Sequence, residues 1–262
     1  MTKGKPKNTQ KTTTGDDSNL ELTLRPTSWI DYIGQEKIKT NLRLIMDAAK
    51  GRKETCDHIL FYGQPGLGKT TLAYLIGKEM SASIRSTSGP ALEKAGDVAA
   101  ILSNLEPHEI LFIDEAHRIN KLIEEILYPA LENRKLFLVI GKGPSARTIT
   151  LDLPPFTVIA ATTKINLLSS PLRSRFGATF RLDYYKPEDI EKIIKRSAKI
   201  LKTNMSEPAI KLLAATSRFT PRTANRLLKR CRDYAQVHNH QIIDENIVLK
   251  TLDMLEIDHL GL

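Results

Sequence analysis

The residues with the clearest chemistry are Gly63-Gln64-Pro65-Gly66-Leu67-Gly68-Lys69-Thr70, a glycine, four residues and then Gly-Lys-Thr, the spacing of a phosphate-binding P-loop. Glycines let backbone N–H groups close around an anion, and a helix N-terminus adds unpaired donors and a positive dipole end. Lys69 would reach a nucleotide's outer phosphates, Thr70 offers a hydroxyl to Mg²⁺, and Pro65 stiffens the loop. A second constellation is Asp114-Glu115, which follows the apolar run Glu109-Ile110-Leu111-Phe112-Ile113. Carboxylates at the carboxyl end of a buried strand stand where open α/β sheets bind ligands. Beside a P-loop, Asp114 would hold Mg²⁺, and Glu115 would orient and polarise the attacking water. Thr162-Thr163, at the end of another apolar run, can sense the outer phosphate or hold that water.

These groups need elements to position them. His58 to Tyr62 reads as a strand feeding the P-loop, and Thr71 to about Met80 as the helix leaving it. Upstream, Ile38, Leu42, Ile45 and Met46 share a face of a helix from Gln35 to Ala49, ended by Gly51. Ile84 to Thr87 is a short strand, Asp97 to Leu105 a helix, and Lys121 to Glu132 a helix with Leu122, Ile126, Leu127 and Leu131 on its apolar side. Residues 136–151 form a predicted β-hairpin, turning at Gly141-Lys142-Gly143-Pro144. Its first arm is hydrophobic without alternation, which fits an exposed partner surface and a core strand equally. Phe156 to Ala161 is a further buried strand, and buried strands alternating with helices predict a parallel α/β sheet. Beyond Tyr185 the periodicity is helical only: helices from Pro187, after Ser206, from Pro221 and from Asp244 predict a small bundle.

Length and composition set the bounds. A chain of 262 residues with 41% hydrophobic and 26% charged residues can bury a large and a small core. No apolar run reaches the length of a membrane span, so the expected location is cytoplasmic. Cys56 and Cys231 lack metal-ligand spacing and read as free buried thiols. The net charge of +9 favours anionic partners, but Lys3, Lys5, Lys7 and Lys11 fall in residues 1–19, a leader without apolar periodicity that reads as a solvated basic tail before a dedicated DNA contact.

Several runs that ATP hydrolysis as such does not require are more specific: Thr87 to Asp97, Asn104-Leu105-Glu106-Pro107-His108, Gly143-Pro144-Ser145-Ala146-Arg147, Leu153-Pro154-Pro155-Phe156 and Thr220 to Arg226. Through them the chain resembles the RuvB family, hexameric AAA+ motors that drive branch migration of Holliday junctions, over Leu24 to Leu260. The resemblance implies a P-loop AAA+ large domain over residues 20–185 and a small all-α lid domain over 186–262, using ATP and Mg²⁺. Carried over position by position, it implies that Gly66, Gly68, Lys69, Thr70 and Thr71 bind phosphates, with Leu24, Arg25 and Tyr185 around the adenine and ribose. Thr163 resembles the first sensor residue, with Thr162 as second choice, and Arg222 resembles the second sensor, on the lid. Arg175, before Phe176-Gly177, resembles the arginine finger that enters a neighbouring subunit's site. Glu132, Asn133 and Arg134 resemble a further nucleotide-contacting stretch, although Asn133-Arg134 replaces the usual acidic and aromatic residues. The hairpin from Phe137 to Thr150 resembles the element that docks onto RuvA, which tips its reading toward a partner surface.

The implied partners are RuvA, Holliday-junction or duplex DNA, further copies in a homo-hexamer and a junction resolvase; no membrane is implied. The family continues into a winged-helix domain that grips DNA and that is not among these residues, so ATP binding is expected here and direct duplex contact is not assigned. Two other readings share the P-loop and Asp114-Glu115: a clamp-loader-like ATPase, against which the hairpin and the Thr220 to Arg226 run speak, and a nucleotide-gated adaptor without translocation. Asp114-Glu115-Ala116-His117 also spells the box of a superfamily-2 helicase class, but that class's arginine motif does not follow.

Overall fold

The computed structural model describes residues 21–140, 147–258 and 261, and these form two compact units that divide after residue 26 and after residue 186, the first stretch grouping with the last. The leader 1–19 and the hairpin turn at Gly141 to Pro144 lie outside the described residues.

The first unit is built on a five-stranded sheet. Its strands are β1 (Ile59–Tyr62), β2 (Ile84–Ser88), β3 (Ile110–Asp114), β6 (Thr157–Thr162) and β7 (Ala178–Arg181), in the order β2-β3-β6-β1-β7 and all parallel. The continuous apolar runs fall at its centre: β6 is buried throughout and β3 up to Asp114. The helices are α1 (Glu36–Arg52), α2 (Lys69–Glu79), α3 (Ala95–Ser103), α4 (Lys121–Asn133) and the four-residue α5 (Ser170–Arg173). The core that α3 and α4 share with the sheet includes Leu111, Ile113, Val158, Leu102, Ile123 and Leu127.

Several boundaries differ from the sequence reading for local reasons. Gly51 does not end α1; Lys53 takes the left-handed cap at φ 58°, its N–H donating to Ala49 O and Lys50 O. Helix α3 starts before Asp97 because that carboxylate accepts from the Lys94 N–H at 2.9 Å, one half of a capping box. On α4 the buried face is Ile123, Leu127, Ala130 and Leu131 together with Glu124, while Leu122 is exposed. The hairpin pairs β4 (Lys135–Ile140) with β5 (Arg147–Asp152). Its base belongs to the core, with Leu136 fully buried and Leu138 and Leu151 packed on it, whereas Phe137 and Ile149 are 46% and 42% exposed.

The second unit holds α6 (Pro187–Ile200), α7 (Glu207–Ala215), α8 (Pro221–Val237) and α9 (Glu245–Met254). Ser206 and Asp244 cap α7 and α9 by accepting from Ala209 N and Ile247 N. It is not helical throughout: β8 (Asn204–Met205) and β9 (Ile242–Ile243) form a short parallel pair. Residues 21–26 group with it, and Arg196 Nη1 donates to Leu24 O at 2.9 Å. Among the described residues no helix is long and apolar enough to cross a membrane.

Candidate active site

Strand β1 delivers the chain to the P-loop at the carboxyl end of the sheet. Gly63 N donates to Thr162 O at 3.2 Å, tying the loop's first residue to β6. Gly66 and Gly68 lie at φ 81° and 97°, a region costly for residues with a side chain. At Gly68 space matters too: a Cβ would lie 2.9 Å from the Tyr32 hydroxyl. Lys69 opens α2, with Thr70 and Thr71 in its first turn. Lys69 is buried, and its ammonium donates to Gly63 O and Gln64 O, both at 2.8 Å.

Three parallel strands bring the polar groups to this loop. Thr70 Oγ1 donates to Asp114 Oδ2 at 3.4 Å, so the hydroxyl from α2 and the carboxylate from β3 converge. Asp114 Oδ1 accepts from the Glu115 N–H at 2.8 Å. Glu115 turns out of the strand at φ 48° and its exposed carboxylate pairs with Arg118 at 3.2 Å. The residues suit a hard divalent cation bound partly through substrate: one hydroxyl and one carboxylate meet, and no group of three His, Cys, Asp or Glu side chains gathers among the described residues.

The two threonines closing β6 differ. Thr162 is buried, and its hydroxyl accepts from Lys164 N and shares a hydrogen bond with His117 Nδ1, both 3.0 Å. Burial favours the neutral His117 imidazole and pushes its pKa below the usual value, outweighing the pull of the nearby Glu115 carboxylate toward the charged ring. Thr163, the next residue, is half-buried.

Tyr185 belongs to the back of the P-loop, where its hydroxyl lies 3.2 Å from both Leu67 O, which can only accept, and Tyr32 Oη, which can donate to it in turn. Burial, reinforced by Tyr185, raises the Tyr32 pKa well above the usual tyrosine value, so this knot is neutral. Tyr32 had no assigned role in the sequence reading; only its place before Gly34 hinted at more than core.

Arg175 lies just after α5. Nη1 donates to Pro171 O at 2.7 Å, Nη2 pairs with Glu132 at 3.0 Å, and the guanidinium sits 4.5 Å above the Tyr128 ring. Of the predicted nucleotide-contacting stretch, Glu132 is therefore paired with Arg175, Asn133 ends α4, and Arg134 is its left-handed cap at φ 52°. Leu24, Arg25 and Arg222 belong to the second unit, where Arg222 Nε and Nη2 donate to the Glu21 carboxylate at 2.6 and 2.8 Å. Cys56 and Cys231 are free and buried, their thiols pushed up to about 11 by burial, hence inert. A cleft of about 270 Å³ lined by Lys50, Cys56, His108 and Thr157 opens at the amino ends of the strands, away from these groups.

Comparison with known proteins then gives two matches in tandem. Residues 24–182 match the Holliday junction DNA helicase RuvB P-loop domain, and residues 185–258 the RuvB AAA lid domain. Among solved structures, the Thermotoga maritima RuvB Holliday junction branch migration motor is 47% identical, with TM-score 0.83 over 92% of this chain and 76% of that one. A threonine-to-valine variant of it matches with the same figures, and an arginine-to-alanine variant with 47% identity and TM-score 0.83 over 91% of this chain and 75% of that one. The threonine and arginine replaced there are as far apart in sequence as Thr163 and Arg175 are here.

Proposed function

The chain belongs to the RuvB family of Holliday junction DNA helicases, the premise from which we propose how its residues divide the work of ATP-driven branch migration. It is an ATP hydrolase and a homologue of the branch-migration motor. The observation that carries the residue assignments is the convergence of Thr70 and Asp114 beside the P-loop, with Glu115 next in the chain.

In this reading the N–H groups of Gly66, Gly68 and Lys69 and the first turn of α2 hold the β- and γ-phosphates, with Thr71 adjoining. On nucleotide binding the Lys69 ammonium exchanges its two carbonyl partners for phosphate oxygens. Thr70 and Asp114 hold Mg²⁺, which supplies charge neutralisation at the outer phosphates. Glu115, the freer of the two acids, orients the attacking water and takes up its proton. Thr163 senses the γ-phosphate; the engagement of the Thr162 hydroxyl with His117 and Lys164 supports choosing Thr163. Leu24, Arg25 and Tyr185 surround the adenosine, Glu132 to Arg134 add a further nucleotide contact, and Arg222 reads the γ-phosphate from the lid.

Arg175 acts as a finger in a neighbour's site. Such a group contributes about 10³ to 10⁵ in turnover, which makes a ring, here a homo-hexamer, the working form. RuvA, recognised through the hairpin, brings the ring to the junction, a resolvase acts on the same DNA, and the location is the cytoplasm.

Steady-state ATPase assays with junction DNA, with and without RuvA, test the reading. Stimulation by both together is expected, and Glu115→Gln is expected to bind ATP while hydrolysing it at least about tenfold more slowly. Unchanged turnover in Glu115→Gln would remove that residue from water activation. Stimulation by DNA that ignores RuvA would remove the partner assignment.

A further inference from the structure

Glu124, Tyr128 and Glu132 are spaced by four along α4, so they lie on one stripe of the helix. Apolar packing does not explain the stripe, because Glu124 is a carboxylate with only 4% of its surface exposed. Its two hydrogen bonds lead toward Arg175. Glu124 Oε2 accepts from the Tyr128 hydroxyl at 3.1 Å and Oε1 from Ser169 N at 3.4 Å. The Tyr128 hydroxyl also meets Ser169 Oγ at 2.9 Å. Ser169 in turn caps α5, accepting from Leu172 N at 3.2 Å. That short helix sets the direction in which Arg175 leaves the chain.

The arginine itself is then gripped from two sides. The Tyr128 ring lies beneath the guanidinium and the Glu132 carboxylate holds Nη2 at its edge. Nε is buried and without a hydrogen-bond partner, a cost expected of a side chain held for another purpose. An arginine left to solvent would sample many rotamers and lose that freedom at the moment of reaction. Here much of the ordering is done within the subunit.

We propose that the Glu124–Tyr128–Glu132 stripe of α4 is the positioning element for Arg175, presenting the guanidinium to the γ-phosphate of ATP bound by the next copy of the chain, with Glu132 the acceptor that Nη2 gives up for the phosphate. The proposal rests on the reading of Arg175 as a finger in trans. Tyr128 and Glu124 are positioning residues and act through Arg175; Glu132 positions it as well, beside its place in the nucleotide-contacting stretch.

The test is the junction-stimulated ATPase of Tyr128→Leu, Tyr128→Phe, Glu132→Gln and Arg175→Ala proteins, each alone and mixed with Glu115→Gln subunits. Tyr128→Leu should lose about tenfold in kcat with KM for ATP unchanged, because the defect lies in placement rather than binding. Tyr128→Phe keeps the ring and should recover most of that loss. Glu132→Gln, an isosteric change at an exposed position, should lose about fivefold in kcat. Mixing Tyr128→Leu with Glu115→Gln should restore activity, since each supplies what the other's interface lacks. Full kcat in both Tyr128→Leu and Glu132→Gln while Arg175→Ala is inactive would overturn the positioning role and leave the finger intact. So would a Tyr128→Leu loss that mixing does not repair. Wild-type kcat in Arg175→Ala would instead overturn the finger and the stripe's role with it.

Discussion

Gly89 shows how closely the turn after β3 is packed. A Cβ there would fall 2.4 Å from the Glu115 carbonyl oxygen and 3.2 Å from Ile119 N, both backbone atoms that cannot swing aside. Glu115 is already in the left-handed region at φ 48°, where a residue with a side chain costs about 1–2 kcal/mol. Gly89→Ala is therefore expected to displace the carboxylate and lower kcat about tenfold, with nucleotide affinity kept, because Lys69 and Thr70 are untouched. Steady-state kinetics beside a nucleotide titration would check it; an unchanged kcat would mean that the turn yields without moving Glu115. This contact accounts for part of the Thr87 to Asp97 run, which phosphate chemistry leaves unexplained. That Thr70 and Asp114 would meet beside the P-loop was legible in the sequence because such groups follow buried strands at fixed spacing. The roles of Tyr32, Tyr128 and Glu124 were not, since Tyr32 meets Tyr185, and Tyr128 and Glu124 meet Ser169, only once the chain has folded, and an aromatic or acid at helical spacing reads first as core or solvated face.

Among the elements, the hairpin carries the clearest expectation. Leu136 and Leu138 turn inward while Phe137 turns out, so the unalternating run is core on one face and exposed surface on the other. Phe137→Asp should leave the fold and ATP affinity intact while removing most RuvA binding, measured by direct titration of one protein with the other. Retained binding would assign the RuvA surface elsewhere. Strand β7 escaped the sequence reading because Ala178-Thr179-Phe180-Arg181 is a four-residue edge strand of alternating burial, too short to stand out from a loop. The β8–β9 pair was missed for the same reason at two residues a strand. The long helices were readable, but their ends were decided by capping geometry: Lys53 displaced Gly51 as the stop of α1, and Asp97 drew the start of α3 forward.

For the whole molecule, the proposed role of Arg175 in a neighbour's site would make catalysis collective. ATPase activity per subunit should rise with protein concentration until rings are complete and then level off, as a site finished by its neighbour requires. Activity strictly proportional to protein over that range, in a preparation sedimenting as single subunits, would mean that each chain completes its own site.

The strand order also has a bearing on how the protein is made. Strand β1 lies between β6 and β7, and Ile59 pairs with Ile159 and Ala178, so the strand synthesised first waits for the two synthesised last in its sheet. Pairings so distant along the chain are slow to form and leave apolar strands uncovered in the interval. On the ribosome, the nucleotide loop emerges early as sequence but acquires its anchor, the bond from Gly63 N to Thr162 O, only after β6 has followed. The nascent chain thus carries its phosphate-binding residues for most of the large unit's translation before it can have a phosphate-binding site.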